Sequence, residues 1–254
     1  MNLIEEYRNQ NTWRDWKRYI VKLPLNNNQV VYDLGCSIGT VSKLLSKKVK
    51  KVVGFDNNKY LLEKANNEKQ NNCQFTLENI FTLSPNTLEK CDGLWMSFTI
   101  AYMENPKLFI SNWTNRLNNG GWFAIADIDG LFSGHIPASS KYLNKLQAFE
   151  NESEESKIYN FKVGRKIKDL LEESGLEIIV DEDDWYDIEL NFNGQAEEDI
   201  AKIWKARLER MVNLKSFFGD EYADFCNEFL NNISDENHIS KGCVKFYVGI
   251  KNSK

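Results

Sequence analysis

The chain holds no Cys-x-x-Cys pair, and its two histidines, His135 and His238, stand far apart. That scarcity predicts no metal site of the zinc type. The cysteines, Cys36, Cys73, Cys91, Cys226 and Cys243, are odd in number, and each sits near an apolar run. They read as buried free thiols in a reducing compartment. A basic surplus is also missing. The formal net charge is -5, which leans against DNA or long RNA as the main partner. No stretch approaches the ~18 consecutive apolar residues of a membrane span. The opening MNLIEEYRNQ is too polar for a secretory leader. The expectation is a cytoplasmic chain with no membrane and no nucleic-acid partner. Hydrophobic residues make up 42% and charged ones 27%, enough for a sizeable core and against global disorder.

What is present is alternation. Val30–Leu34, Lys51–Phe55, Cys73–Leu77, Gly93–Phe98 and Trp122–Ile128 read as strands. Thr40–Lys48, Lys59–Glu68 and Pro106–Leu117 carry helical patterns between them. Asn119-Gly120-Gly121 reads as a helix stop and turn ahead of the fifth strand. The alternation predicts a mostly parallel sheet with helices on both faces and right-handed crossovers. After Asp129 the rhythm breaks. Residues 138–158 read as an exposed helix with Glu150, Glu152, Glu154 and Glu155 on it. Gly164–Ser174 reads as an amphipathic helix stopped at Gly175, and Leu176–Val180 as a sixth strand. Asp181–Asp184 reads as an acidic turn, residues 195–231 as a long helical block, and Cys243–Ile250 as a last strand. Near the start, Trp13, Trp16 and Tyr19 are spaced to share one helix face. That spacing suits packing against the domain or, with Tyr7, an aromatic lid. The lysines at 43, 47, 48, 50 and 51 read as a solvated helix end.

The first strand carries the chemistry. It ends in the acid Asp33, bends through Gly35 and Gly39, and feeds a helix, which is how an open α/β sheet builds a nucleotide pocket at its strand ends. A dinucleotide fingerprint aligned on Gly35 would meet Ser37 and Thr40 at its next two glycine positions, so NAD chemistry does not fit. The segment Asp33-Leu34-Gly35-Cys36-Ser37-Ile38-Gly39 instead resembles the first motif of class I S-adenosylmethionine-dependent methyltransferases. Ser37 stands where that family's middle glycine falls. The resemblance runs best over residues 25–129.

The resemblance implies S-adenosyl-L-methionine as cofactor. It also implies a Rossmann-like, mostly parallel seven-stranded sheet flanked by helices, with the last strand antiparallel between the fifth and sixth. Asp33, Gly35, Cys36, Ser37 and Gly39 would form the cofactor bend. Asp56, with Asn57 beside it, ends the second strand ~20 residues on, where an acid accepts ribose hydroxyls; Asp-Asn-Asn is also good helix-cap chemistry. Asn79 and Ile80 would meet the adenine, and Ser97 would end the fourth strand beside the methionine part. Tyr102 stands at the place of a histidine common in the family. The implied division is a lid over residues 1–24, a cofactor core over 25–130, cap insertions over 131–160 and 191–235, and the rest of the sheet over 161–190 and 241–254.

Candidate catalytic groups are Tyr102, His135 in a glycine-flanked loop, and Asp127 near a strand end; His238 lies in a polar run. Trp204, Arg207, Leu208 and Met211 have helical spacing, which suits either a packing stripe with a solvated arginine or a cap that shapes the substrate pocket. The expected activity is methyl transfer to a small-molecule acceptor by in-line displacement. Two alternatives stay open: a non-catalytic cofactor-binding or partner subunit, and a protein or RNA methyltransferase. Ser97-Phe98-Thr99-Ile100 lacks the Asn/Asp-Pro-Pro-Tyr type motif of nucleobase amine methylation. The sequence leaves oligomeric state open.

Overall fold

The computed structural model describes residues 14–252. Seven strands form one sheet: β1 (Val30–Leu34), β2 (Lys51–Asp56), β3 (Cys73–Leu77), β4 (Cys91–Ser97), β5 (Leu117–Asp129), β6 (Leu176–Trp185) and β7 (Cys243–Lys251). Their spatial order is β3-β2-β1-β4-β5-β7-β6. The first five strands run parallel, and β7 lies antiparallel to both β5 and β6. This is the Rossmann-like sheet with an antiparallel last strand. The order turns back between β1 and β4, so the crevice beyond their carboxyl ends is the place for a ligand.

Nine α-helices flank or cap the sheet among the described residues. They are α1 (Trp16–Ile20), α2 (Thr40–Leu45), α3 (Lys59–Asn67), α4 (Pro106–Thr114), α5 (Leu143–Glu155), α6 (Ile167–Glu173), α7 (Glu198–Arg210), α8 (Val212–Phe218) and α9 (Tyr222–Ile233). Local chemistry sets several starts. Asn58 Oδ1 accepts from the amides of Tyr60 and Leu61 at the head of α3. Asn105 Oδ1 accepts from Leu108 N at the head of α4, where Pro106 occupies the first turn. Both are cap positions that satisfy amides without a helical partner. None of the helices is long and apolar enough to cross a membrane.

Period-two alternation gives the sheet two buried faces. Trp122, Ala124, Ala126 and Ile128 of β5 join Trp95, Val244, Phe246 and Val248 in one core, which continues into α5, α7, α8 and α9. Phe123 and Ile125 join Leu94, Met96 and Tyr247 in the other, under α4 and α6. Trp95 is central to the first core: Trp16 and Tyr19 meet its ring edge-on at 6.2 and 6.1 Å, and Phe246 lies at 6.0 Å.

Several sequence expectations change here. The acidic run 181–184 is not a turn. It continues β6 to Trp185 as an edge strand, where its carboxylates stay solvated or paired, as in Lys22–Glu182 at 2.7 Å, and charge protects an open edge. Asn119-Gly120-Gly121 is no helix stop. The helix before it ends at Thr114, and residues 118–121 bulge out between the Cys91–Leu117 and Gly93–Trp122 pairs, with Gly120 at φ +77°. The block 195–231 is three helices, broken at Met211 (ψ 72°) and at Gly219 (φ +59°). Glu150 is not on an exposed face. It is buried, and its carboxylate accepts from Ser133 N and Oγ at 2.9 and 2.7 Å and lies 3.3 Å from Lys162 Nζ. The cysteines are free, with Cys36, Cys73 and Cys91 buried and the other two partly so.

Replacing Trp95 by Ala is expected to cost about 3–5 kcal/mol, the range for deleting a fully buried large aromatic ring. Urea unfolding at equilibrium measures it.

Candidate functional site

The bend after β1 is held by β2. Gly35 N and Cys36 N both donate to Phe55 O, at 2.9 and 3.0 Å. Ser37 N donates to Asp56 Oδ2 at 2.8 Å, and Asn58 N donates to Asp56 Oδ1 at 2.9 Å. Gly35 has φ +82°, and a Cβ there would sit 2.5 Å from Thr99 Oγ1, so conformation and space both demand glycine. Ser37 also takes a left-handed φ, +50°. Asp33 is buried below the bend and accepts a short hydrogen bond from Ser42 Oγ. Burial pushes its carboxyl up to about 7 against that bond. Burial likewise raises Asp56, against the amides of Asn58 and Ser37.

These residues open onto a cavity of about 780 Å³, toward the upper end for small-molecule sites. Asp33, Gly35, Cys36, Ser37, Asp56, Asn57, Asn79, Ile80 and Ser97 all line it. Gly39 does not; at φ +75° a Cβ there would meet the Phe75 ring at 2.5 Å, so its place is packing behind the bend. Asn79 Oδ1 is engaged by Phe81 N at 3.0 Å. Ser97 Oγ accepts from Trp95 Nε1 at 3.3 Å. Phe98 follows at φ +51°, with Phe98 N donating to Ala126 O at 2.8 Å. Its ring and Thr99 line the wall where β4 ends.

The opposite wall comes from the capping segments: Leu131, Phe132, Phe149, Tyr159, Phe161 and Leu190 are apolar or aromatic. Set into it is a charged cluster. Arg14 Nε and Nη2 donate to the two carboxylate oxygens of Asp187, and Nη2 also donates to Glu189 Oε2 at 3.2 Å. Arg207 Nη2 donates to Glu189 Oε1. The side chains of Arg14, Asp187 and Glu189 are 9%, 1% and 2% exposed, so this network is desolvated. Burial works against the Arg14 charge, but Asp187 and Glu189 outweigh it and hold the guanidinium above its ordinary range. Arg14 also lies 4.3 Å over the Phe98 ring, tying the cap to the β4 end.

The sequence candidates separate at this point. Tyr102 lines the cavity rim, more than half exposed. Trp16 lines the wall but is buried, packed against Trp95 and Phe98. Tyr7 and Trp13 lie outside the described residues. Arg207 is not a solvated stripe residue; it lines the cavity and stacks 4.4 Å over Trp204. Trp204 is fully buried behind that wall, its Nε1 donating to Glu189 O at 3.0 Å.

Asp127 and His135 are not brought to the cavity. Ile128 is the β5 residue that lines it, so alternation turns Asp127 to the other face. There Asp127 Oδ1 accepts from Ile128 N, and the carboxylate faces the amides of Ala101, Ile100 and Thr99. Burial pushes it up to about 7 against those amides. His135 sits in a nest of Phe192, Trp204 and Phe229 rings. Its Nε2 is 3.0 Å from Leu190 O, and its Nδ1 is 3.0 Å from His238 Nε2. A carbonyl only accepts, so His135 Nε2 carries the proton and His238 Nε2 donates to Nδ1. Burial, aided by His238, drives His135 down to about 3. Both groups brace the wall from behind.

Arg14, Phe98, Thr99, Asp187 and Glu189 were not foreseen. The Arg14 and Asp187 partners are 173 positions apart, and no local pattern marks such a pair.

A family model for a methyltransferase domain matches residues 25–216. No curated protein matches the chain. Among solved structures, a candidate methyltransferase from Bacillus halodurans C-125 is similar with a TM-score of 0.64 at 18% identity, over 94% of this chain and 99% of the other. An S-adenosylmethionine-dependent methyltransferase from Mesorhizobium loti gives 0.55 at 14% identity, over 93% of this chain and 97% of the other. Phosphoethanolamine N-methyltransferase 2 of Haemonchus contortus, solved with phosphomonomethylethanolamine and S-adenosylhomocysteine, gives 0.57 at 17%, over 98% of this chain and 57% of the other. At these identities the likeness is one of fold.

The raised Asp33 and Asp127 carboxyls and the lowered His135 have opposite consequences for stability. A buried aspartate raised from 3.8 to about 7 stabilises the fold below pH 3.8, and the contribution is lost as pH rises to about 7. His135, lowered from 6.5 to about 3, stabilises above pH 6.5 and loses its contribution as pH falls. The variant Asp127→Asn is therefore expected to gain stability relative to the parent as pH rises from about 5 to about 8. Urea midpoints at both ends of that range measure it, and a pH-independent difference would contradict the assignment.

Proposed function

We propose, for a chain that belongs to the methyltransferase-domain family, that it is an S-adenosylmethionine-dependent methyltransferase acting on a small-molecule acceptor. One observation carries the reading. The buried Ser37 hydroxyl has no partner and stands in the bend whose amide orders the Asp56 carboxylate, on the polar wall of a cavity whose other wall is apolar. A polar atom left unpaired in a buried wall calls for a ligand. The residues present fit the adenosyl cofactor: a carboxylate at the rim for ribose hydroxyls, Asn79 and Ile80 for the base, and Ser37 with Ser97 for the polar tail.

When bound, that cofactor supplies a methyl group on a sulfonium. The chain's own residues then have three tasks. Asp33, Ser37 and Asp56 hold one reactant on the strand ends. The aromatic wall of Phe98, Phe132, Phe149 and Phe161 excludes water and shapes the space facing it. Rigid placement of both reactants lets orientation supply ~7–11 kcal/mol of barrier reduction. Among the catalytic candidates, Tyr102 is the one that lines the cavity, and it is the group we assign to proton handling. Asp127 and His135 act as positioning residues, the first under the turn at 99–101 and the second behind Leu190. In this reading residues 25–130 form the cofactor half, and residues 131–160 and 191–235 form the cap that receives the acceptor. The concave, partly open cavity with its apolar cap wall and the acidic balance favour a small acceptor over nucleic acid, and the free thiols suit a cytoplasmic setting.

Isothermal calorimetry with S-adenosylhomocysteine tests the proposal. Saturable binding by the full chain is expected. Asp56→Ala is expected to weaken it by about 1.5–3 kcal/mol, the worth of a hydrogen bond to a charged group, or roughly tenfold or more. No binding by the parent chain refutes the proposal.

A further inference from the structure

We infer that the acceptor carries an acidic oxygen group, carboxylate or phosphate, on an otherwise apolar body, and that Arg207 receives the acid. The word acceptor rests on the methyl-transfer reading above; the anion site itself does not.

Among the described residues that line the cavity, two have a buried polar side-chain atom with no partner: Ser37 Oγ on the strand-end wall and Arg207 Nη1 on the cap wall. They belong to opposite halves of the cavity lining, and each half therefore holds one unmet hydrogen-bonding group. Among the described residues Arg207 has one carboxylate acceptor and none for Nη1. Its Nη2 is bonded to Glu189 Oε1, and its face lies on Trp204. The other oxygen of Glu189 is taken by Arg14, which also holds both oxygens of Asp187. Arg207 is thus bonded to a single oxygen of a carboxylate that a second guanidinium shares. In a desolvated wall a guanidinium so placed is short of anionic oxygen, and its fork geometry suits a carboxylate or phosphate best.

The rest of that half is apolar. Leu131, Phe132, Phe149 and Phe161 line its depth. At the mouth, Ile158 and Val212 also line the cavity while standing 54% and 73% exposed. The occupant that satisfies both features has one acidic end and a hydrocarbon or aromatic body.

The test uses the full chain and three probes with one tail: decanoate, decyl phosphate and decanamide. Each is titrated by calorimetry with and without S-adenosylhomocysteine. At least one acid is expected to bind roughly tenfold or more tighter than the neutral amide, as a charge-assisted hydrogen bond allows, and the tighter acid identifies the group. Arg207→Gln is expected to abolish the preference while binding S-adenosylhomocysteine as the parent does. Because that variant removes one partner of Glu189, Arg207→Lys is measured beside it. Lysine keeps a charge against Glu189 but lacks the fork, so the preference is expected to fall there too. Equal binding of acid and amide, no binding of any probe, or a preference surviving both substitutions overturns the inference. Acid preference without S-adenosylhomocysteine binding would sink the methyl-transfer reading and leave the Arg207 site standing.

Discussion

The site depends on the fastening of the bend after β1 to the end of β2. Two amides of the bend share the Phe55 carbonyl, and a third holds the Asp56 carboxylate. This makes the bend and the acid one rigid body. The acid lies ~20 residues downstream in the chain, yet its distance to the bend is set by a single hydrogen bond. Glycine at position 35 permits the turn and the approach of Thr99, so the end of β4 is drawn into the same body. The bend, Asp56 and Thr99 are placed by these contacts.

The cap is fixed by different physics. Its helices share one hydrophobic core with a face of the sheet, so it is not a separate lobe. Within that core the Arg14–Asp187–Glu189–Arg207 network is a desolvated polar inclusion. Buried ion pairs are poor sources of stability compared with apolar packing, so a network of this kind is better understood through what it presents to the cavity. Trp204, His135 and His238 stand behind it and hold Leu190, Glu189 and Arg207 at the wall.

Much of this was legible before any coordinates. β1 and β3 have the bounds that their apolar runs indicate, because short β-rich runs between turn residues have one ready reading. The bend and Asp56 were legible because their chemistry is local and their spacing fixed. The acidic end of β6 was not: solvated carboxylates on an edge strand look like a turn in one dimension. Glu150 looked like surface because its partners, Ser133 and Lys162, are not adjacent to it in sequence. Asp127 illustrates a signal that was available. Strand-end logic placed it near the ligand, but period-two alternation against apolar Ile128 turns one of the two away. The Arg14 network left no trace, since neither partner's neighbourhood reveals the other.

The antiparallel β7 has a consequence for synthesis. It follows every other strand in the chain, yet it fills the slot between β5 and β6. While a ribosome is still making residues 243–251, β5 has a bare hydrogen-bonding flank and β6 has nothing to pair with. Open flanks of this sort invite pairing with other nascent chains. The cofactor bend, complete by residue 56, can form early, but the cap wall cannot lock against the sheet until the final strand arrives. The half of the cavity that we assign to the cofactor is therefore assembled first in time, and the half that we assign to the acceptor is assembled last.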